Sequence, residues 1–147
     1  MDYELLFQRL KDLREDNDLT QEEMANVLGV SQSNYARWEV KIKIIPLNKL
    51  NEFCNYFHVN MDYVIGLTNK REYIESCCID KKIISERLKS FRKKNKVTQV
   101  QLAKQLGTDH SVISAYEKEK TLILTAFLVD ICIRYKISAD WICGRKK

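Results

Sequence analysis

"LTQEEMANVLGVSQSNYARWE", residues 19–39, decides the fold. Thr20 is a favoured helix N-cap, and Glu23, three positions later, completes a capping box. The helical run that follows stops at Gly29, where a left-handed residue closes a helix at least cost. Ser31 caps the next run, "QSNYARWEV". The stretch therefore predicts two short helices joined by a tight glycine turn. No alternating strand pattern competes with that reading.

The flanks extend the helical plan. "YELLFQRLKDLRED" carries apolar residues at Leu5, Leu6, Leu10 and Leu13, a helical stripe. Pro46 suits the first turn of a fourth helix, "LNKLNEFCNYF", and "NMDYVIGL" gives a short fifth. The plan then recurs. A shift of 78 residues aligns the chain with itself without a gap. Arg9, Leu10, Lys11 and Arg14 fall on Arg87, Leu88, Lys89 and Arg92, and Asn17, Thr20, Gln21 and Ala25 on Asn95, Thr98, Gln99 and Ala103. Leu28, Gly29, Ser33 and Glu39 fall on Leu106, Gly107, Ser111 and Glu117. Cys54, Asp62 and Gly66 fall on Cys132, Asp140 and Gly144. Chance does not hold one register that long, so the chain is two copies of one small domain. The fold class is all-α: a five-helix domain over residues 1–67, a connection over 68–79, and a second five-helix domain over 80–147. In the second copy Thr98 and Asp109 are the expected caps. The connection "TNKREYIESCCI" has neither Pro nor Gly. It reads as a short helix or as an extension of the next domain's first helix, not as a floppy linker.

Composition narrows the function. The 147 residues are 45% hydrophobic and 31% charged, a globular balance. No apolar run approaches the roughly 18 residues that span a bilayer. The start, "MDYELLFQRL", has early acids and no cationic segment, so no signal peptide is expected. Five cysteines, an odd number, fit reduced thiols in a cytoplasmic setting, and no C-x-x-C suggests zinc. The net charge of +5 is uneven: residues 1–73 hold 9 Lys+Arg against 12 Asp+Glu, and residues 74–147 hold 16 against 8. A positive second half points to an anionic partner, most often nucleic acid. Gly-rich phosphate loops, nucleophile elbows and metal-ligand clusters are all missing from the sequence, so neither an enzyme, a cofactor nor a metal is expected. His58 and His110 have no acidic partner at catalytic spacing; His58 reads as structural, near the end of the fourth helix.

Two helices joined by a tight turn form a helix-turn-helix unit, here Thr20–Val40 and Thr98–Lys118. "LTQEEMANVLGVSQSNYARWE" resembles the helix-turn-helix of the phage repressor and Cro (XRE) family of bacterial and phage regulators, and "MDYVIGL" resembles the segment that closes that domain. The resemblance covers both copies. It implies a double-stranded DNA-binding transcription regulator, read here as a repressor, whose third helix enters the major groove. It assigns Gln21 and Gln99 to phosphate contact, and Gln32, Ser33 and Arg37, with Asn34 beside them, to base edges. Residues 33 and 37 share a helix face, and the N-terminal end of such a helix points into the groove. Gln can bond adenine and Arg can clamp guanine. In the second copy the matching surface is His110, Ser111, Val112, Ser114 and Ala115, which lacks a bidentate reader. The loop lysines Lys41 and Lys43, with Lys118, complete the expected DNA-binding set. Lys93, Lys94, Lys96, Lys104 and Lys120 add charge, so the second copy is expected to favour phosphate contact and the first base recognition. Arg14–Glu39 and Arg92–Glu117 occupy positions of a partly buried family ion pair, and Trp38, Tyr116, Tyr63 and Trp141 read as core.

A second class remains open: a protein-interaction regulator, anti-repressor or antitoxin-like, using the same fold against protein. The tandem arrangement favours DNA, since two such domains read half-sites one helical turn apart. The chain is expected to act as a pseudo-dimer or as a homodimer, without a membrane or an evident small-molecule site. Lys outnumbers Arg 17 to 8, which hints at an AT-rich bacterial, phage or mobile-element origin. After the third helix the family often has Gly where Lys41 and Glu119 stand, which leaves the loop's path open. Apolar residues follow in both copies, "IKII" at 42–45 and "TLIL" at 121–124. Ile42, Ile44 and Ile45 are expected to pair with Leu122, Ile123 and Leu124, within one chain or between two.

Overall fold

The computed structural model describes residues 6–147. Leu5 and the start of the first expected helix lie outside the described residues. The chain divides into two units, Met1–Cys77 and Cys78–Lys147.

The first unit has helices α1 (Gln8–Asp16), α2 (Gln21–Leu28), α3 (Gln32–Glu39), α4 (Leu47–Phe57) and α5 (Met61–Ile65). The second has α6 (Lys81–Lys94), α7 (Gln99–Leu106), α8 (His110–Glu117), α9 (Thr125–Tyr135) and α10 (Ala139–Ile142). From α2 and α7 through α4 and α9 the helices keep the offset of the sequence repeat. The caps explain where they begin. Thr20 Oγ1 accepts from the Glu23 amide at 3.1 Å, and Glu23 Oε1 from the Thr20 amide at 3.0 Å. Thr98 and Gln101 exchange the same two bonds at 3.0 and 2.9 Å. Each capping bond is worth about 1 kcal/mol. Asp109 stands at the α8 N-cap, but its side chain makes no capping bond there.

The turns repeat as faithfully as the helices. Gly29 and Gly107 end α2 and α7 with φ of 68° and 69°. The non-glycine pairs Asp18 and Lys96, Lys41 and Glu119, and His58 and Lys136 also hold positive φ. Lys41 and Glu119 therefore answer the question of the loop. After α3, the Lys41 amide bonds the Trp38 carbonyl at 3.3 Å and the Ile42 amide bonds that of Arg37 at 3.0 Å. After α8, Glu119 bonds Tyr116 at 3.3 Å and Lys120 bonds Ala115 at 3.0 Å. Both are left-handed helix closures, made without glycine.

Each unit buries one core. Leu10, Met24, Leu28, Tyr35, Leu50, Phe53, Met61 and Ile65 are buried in the first; Leu88, Phe91, Leu102, Ile113, Tyr116, Leu128, Ile131 and Ile142 in the second. Each such side chain contributes roughly 1.5–3 kcal/mol. An arginine then closes each bundle end to end. The Arg9 guanidinium donates to the carbonyls of Tyr63 at 2.7 Å and Thr68 at 2.5 Å, and lies 3.9 Å over the Tyr63 ring. Arg87 donates to the carbonyls of Trp141 and Lys146 and stacks over Trp141. Tyr63 and Trp141 are half-buried and act through these arginines, whereas Trp38 and Tyr116 lie in the cores.

The connection differs from its helical expectation. Residues 67–80 form no helix, and their first part lies extended along the first unit. Val59 and Tyr73 form an isolated antiparallel bridge. The Asn60 amide donates to Glu72 and the Ile74 amide to His58. Asn51 and Asn55 each donate to the Cys77 carbonyl at 2.8 Å. His58, exposed at the end of α4, stacks on Tyr73 with ring centres 5.2 Å apart. The side chains of Asn51, Asn55 and Asn60 take up backbone groups of Cys77, Lys70 and Glu72 that a helix would otherwise have to satisfy.

Candidate nucleic-acid interface

The third helix of each unit is held from behind by one buried ion pair. Arg14 Nε and Nη2 meet the Glu39 carboxylate at 2.6 and 3.0 Å, and Arg14 Nη1 donates to the Leu19 carbonyl at 2.7 Å. Arg92 meets Glu117 at 2.7 and 2.9 Å and the Val97 carbonyl at 2.9 Å. The glutamate side chains are only 2% and 3% exposed, which makes these clamps rather than surface pairs. Burial alone would push the Glu39 carboxyl up; hydrogen bonds from Arg14 and its neighbours outweigh that and hold it below the usual range. Bonding to the glutamates correspondingly raises Arg14 and Arg92. Burial, and then the nearness of the Glu39 carboxylate, push the Tyr35 hydroxyl up. Ile113 fills the Tyr35 position in the second unit.

The two glutamines related by the repeat join these clamps. Gln21 Nε2 donates to Glu39 Oε1 at 3.2 Å, and Gln99 Nε2 to Glu117 Oε1 at 3.3 Å. Both remain half-exposed at the first residue of α2 and α7. The clamp thus fixes an amide at the N-terminal end of a helix, where backbone N–H groups and the helix dipole favour an anion.

On α3, Tyr35 and Trp38 face the core, while Gln32, Ser33 and Arg37 are exposed and Asn34 is half-buried. Ser31 Oγ accepts from the Asn34 amide at 3.2 Å, fixing that end of the helix. Lys43 is exposed and Lys41 half-buried in the closing turn. On α8, Ile113 and Tyr116 are buried, His110 and Ser111 exposed, and Val112, Ser114 and Ala115 half-buried. Lys118 is exposed at its end.

Two features of the second face go beyond the sequence reading. Asp109, whose side chain is 76% exposed, and the exposed Glu119 stand at the two ends of α8. Their counterparts in the first unit are Ser31 and Lys41. The signal lies in the aligned repeat, where Asp109 looks like a cap and nothing more. The Arg9 and Arg87 latches are likewise visible there as a repeated pair without a partner.

The apolar loops divide. Ile45 is 1% exposed and Ile123 is 2% exposed, so both belong to the cores of their own units, not to a pairing surface. Each stands just before its fourth helix, where the chain must turn inward. Ile42, Ile44 and Leu124 are exposed at 73%, 44% and 58%, and Leu122 is half-buried.

Two clamped helices across a tight turn, the second with a polar edge turned outward, define a helix-turn-helix DNA-binding unit, built twice in this chain. Residues 10–64 match the family described as helix-turn-helix, and residues 85–145 match a second, the helix-turn-helix domain. The chain is 34% identical over 87 residues to the uncharacterized HTH-type transcriptional regulator YobD of Bacillus subtilis (strain 168), a match covering 59% of this chain and 70% of that protein. No solved structure matches. The chain belongs to the XRE-type helix-turn-helix family and is a DNA-binding transcription regulator. Among the described residues no helix is long and apolar enough to cross a membrane.

Proposed function

We propose that the protein represses transcription by occupying a bipartite site on double-stranded DNA, one half-site for each helix-turn-helix unit. The observation that carries this reading is the exposed edge of α3. Gln32, Ser33 and Arg37 stand together there, backed by a buried ion pair, with Lys41 and Lys43 just beyond. Gln and Arg supply bidentate base contacts worth about 1–3 kcal/mol each, while the lysines and Gln21 meet phosphates. In the second unit His110, Ser111, Val112 and Ser114 form a weaker reading edge, and Gln99 and Lys118 the phosphate contacts. Lys93, Lys94, Lys96, Lys104 and Lys120 are exposed on the same unit and add attraction without sequence preference. Because α3 and α8 present different side chains, the preferred site is not a strict palindrome. Occupancy represses where such a site overlaps a promoter.

The test is selection of bound DNA from a random pool, followed by affinity measurement over a range of salt. Arg37→Ala should lose about 1–3 kcal/mol and relax preference at one base position. Lys93→Ala with Lys94→Ala should weaken binding to all sequences and reduce the salt slope by up to about 2. A symmetric selected site, used equally by both units, would contradict the asymmetric reading. If neither change alters DNA affinity, the fold serves a protein partner instead.

A further inference from the structure

The repeat keeps its core, clamps and turns, yet the two units diverge at one corner. In the first unit Leu6, Phe7, Trp38, Ile44 and Ile45 line a pocket of ≈ 180 Å³, with Lys41 and Lys43 in its wall. At the matching positions of the second unit Ile84, Tyr116, Leu122 and Ile123 keep an apolar lining. Ser85 stands where the first unit has Phe7, and Glu119 where it has Lys41. The first copy therefore adds a second aromatic ring and two cations to an apolar corner, where the second copy has a serine, an acid and, at Thr121 in place of Lys43, no charge. Leu6, Phe7, Trp38 and Ile45 are buried beneath the recess, while Ile44 is 44% exposed at its edge.

Size and chemistry together select a ligand. A dry cavity of about 150 Å³ lined by Leu, Ile and Phe accepts benzene, so this recess has room for one aromatic ring. The Trp38 and Phe7 rings suit such a partner. The wall is apolar and takes the aliphatic stems of the two lysines, whose charged ends suit an anion at its mouth. We propose that this pocket binds a small aromatic carboxylate, with its ring against Trp38 and its carboxylate on Lys41 and Lys43. Those lysines are also the phosphate contacts of the first unit, so ligand and DNA compete for them. This coupling rests on the proposed function; the binding itself does not.

The experiment is an NMR titration of the full chain with benzoate, and separately with the uncharged benzyl alcohol, without DNA. Saturable shifts are expected at the Trp38 indole and the Ile44 and Ile45 methyls, with Trp141 of the other unit as an unmoved internal control. Two ion pairs, one at the exposed Lys43 and one at the half-buried Lys41, correspond to benzoate binding about ten-fold tighter than benzyl alcohol. Lys41→Gln with Lys43→Gln should remove that difference while the spectrum stays folded. Equal binding of both probes overturns the carboxylate assignment. Shifts at Ile44 that depend on protein concentration alone assign the recess to a second copy of the chain and overturn it too. A requirement to delete residues 1–5 before benzoate binds gives the recess to the chain's own N-terminus and likewise overturns the proposal. With DNA present at matched ionic strength, benzoate should lower first-unit affinity about ten-fold. Saturable benzoate binding that leaves DNA affinity unchanged refutes the competition, whereas absence of DNA binding by the ligand-free protein refutes the proposed function instead.

Discussion

Lys41 and Glu119 hold φ of 65° and 63°, a region costly for any residue with a Cβ. Replacing either with Gly removes about 1–2 kcal/mol of left-handed strain. Against that, glycine loses about 0.5–1 kcal/mol more backbone freedom on folding. The net gain should be about 0.5–1 kcal/mol, or roughly 4 °C in Tm for a domain of this size. The reciprocal changes calibrate it. At Gly29 and Gly107, with φ of 68° and 69°, an added Cβ would meet nothing within 4 Å. Gly29→Ala and Gly107→Ala therefore report the backbone cost alone, and each should lose a similar amount. The two tryptophans, Trp38 and Trp141, fall one to each unit, so urea unfolding can be read unit by unit. Lys41→Gly is measured through Trp38 in a Trp141→Phe background, and Glu119→Gly through Trp141 in a Trp38→Phe background. If both glycine variants unfold at lower urea than their parents, the strain argument fails. A loss at Lys41 alone would show that its contacts in the recess outweigh the backbone.

Three further outcomes follow from the cores and clamps. Arg14→Ala should cost the first unit about 3–5 kcal/mol by leaving Glu39 buried and unpaired, and Arg14→Met with Glu39→Leu much less, as a urea double-mutant cycle would show. The Glu39 carboxyl is depressed below its ordinary 4.5, so its stabilisation is complete above that pH and lost as pH falls through the folded value; the Trp38 unfolding midpoint should drop in acid, and Glu39→Gln should flatten that drop. Ile45→Ala should cost about 2–4 kcal/mol and Ile42→Ala less than about 0.5 kcal/mol, read by thermal unfolding; near-equal effects would contradict the division of the loop into core and surface.

What the sequence makes legible is whatever local chemistry enforces. The Thr20–Glu23 box, the Gly29 stop and the Ser31 cap act over three or four residues, and the repeat doubles each signal. Three things escape it. Lys41 and Glu119 adopt the left-handed turn without the residue that advertises it, because neighbouring hydrogen bonds impose it. The connection shows no turn residues and suggests helix, yet Asn51 and Asn55, more than twenty residues earlier, hold it extended. Ile45 and Ile123 look like their exposed neighbours because a loop of two or three apolar residues has no period from which to read a face. The exposed edge of α3 is the most legible part of the candidate site. Burial of Tyr35 and Trp38 in the same short helix leaves few positions outward.

The Arg9 and Arg87 latches have a consequence for how such a chain can arise. Each arginine near the start of a unit grips carbonyls near its finish, so entry and exit lie side by side on the surface. A unit whose ends meet can be copied head to tail without stretching either copy. The same closeness means that joining the ends of one unit and opening it at an exposed turn should leave a foldable circular permutant.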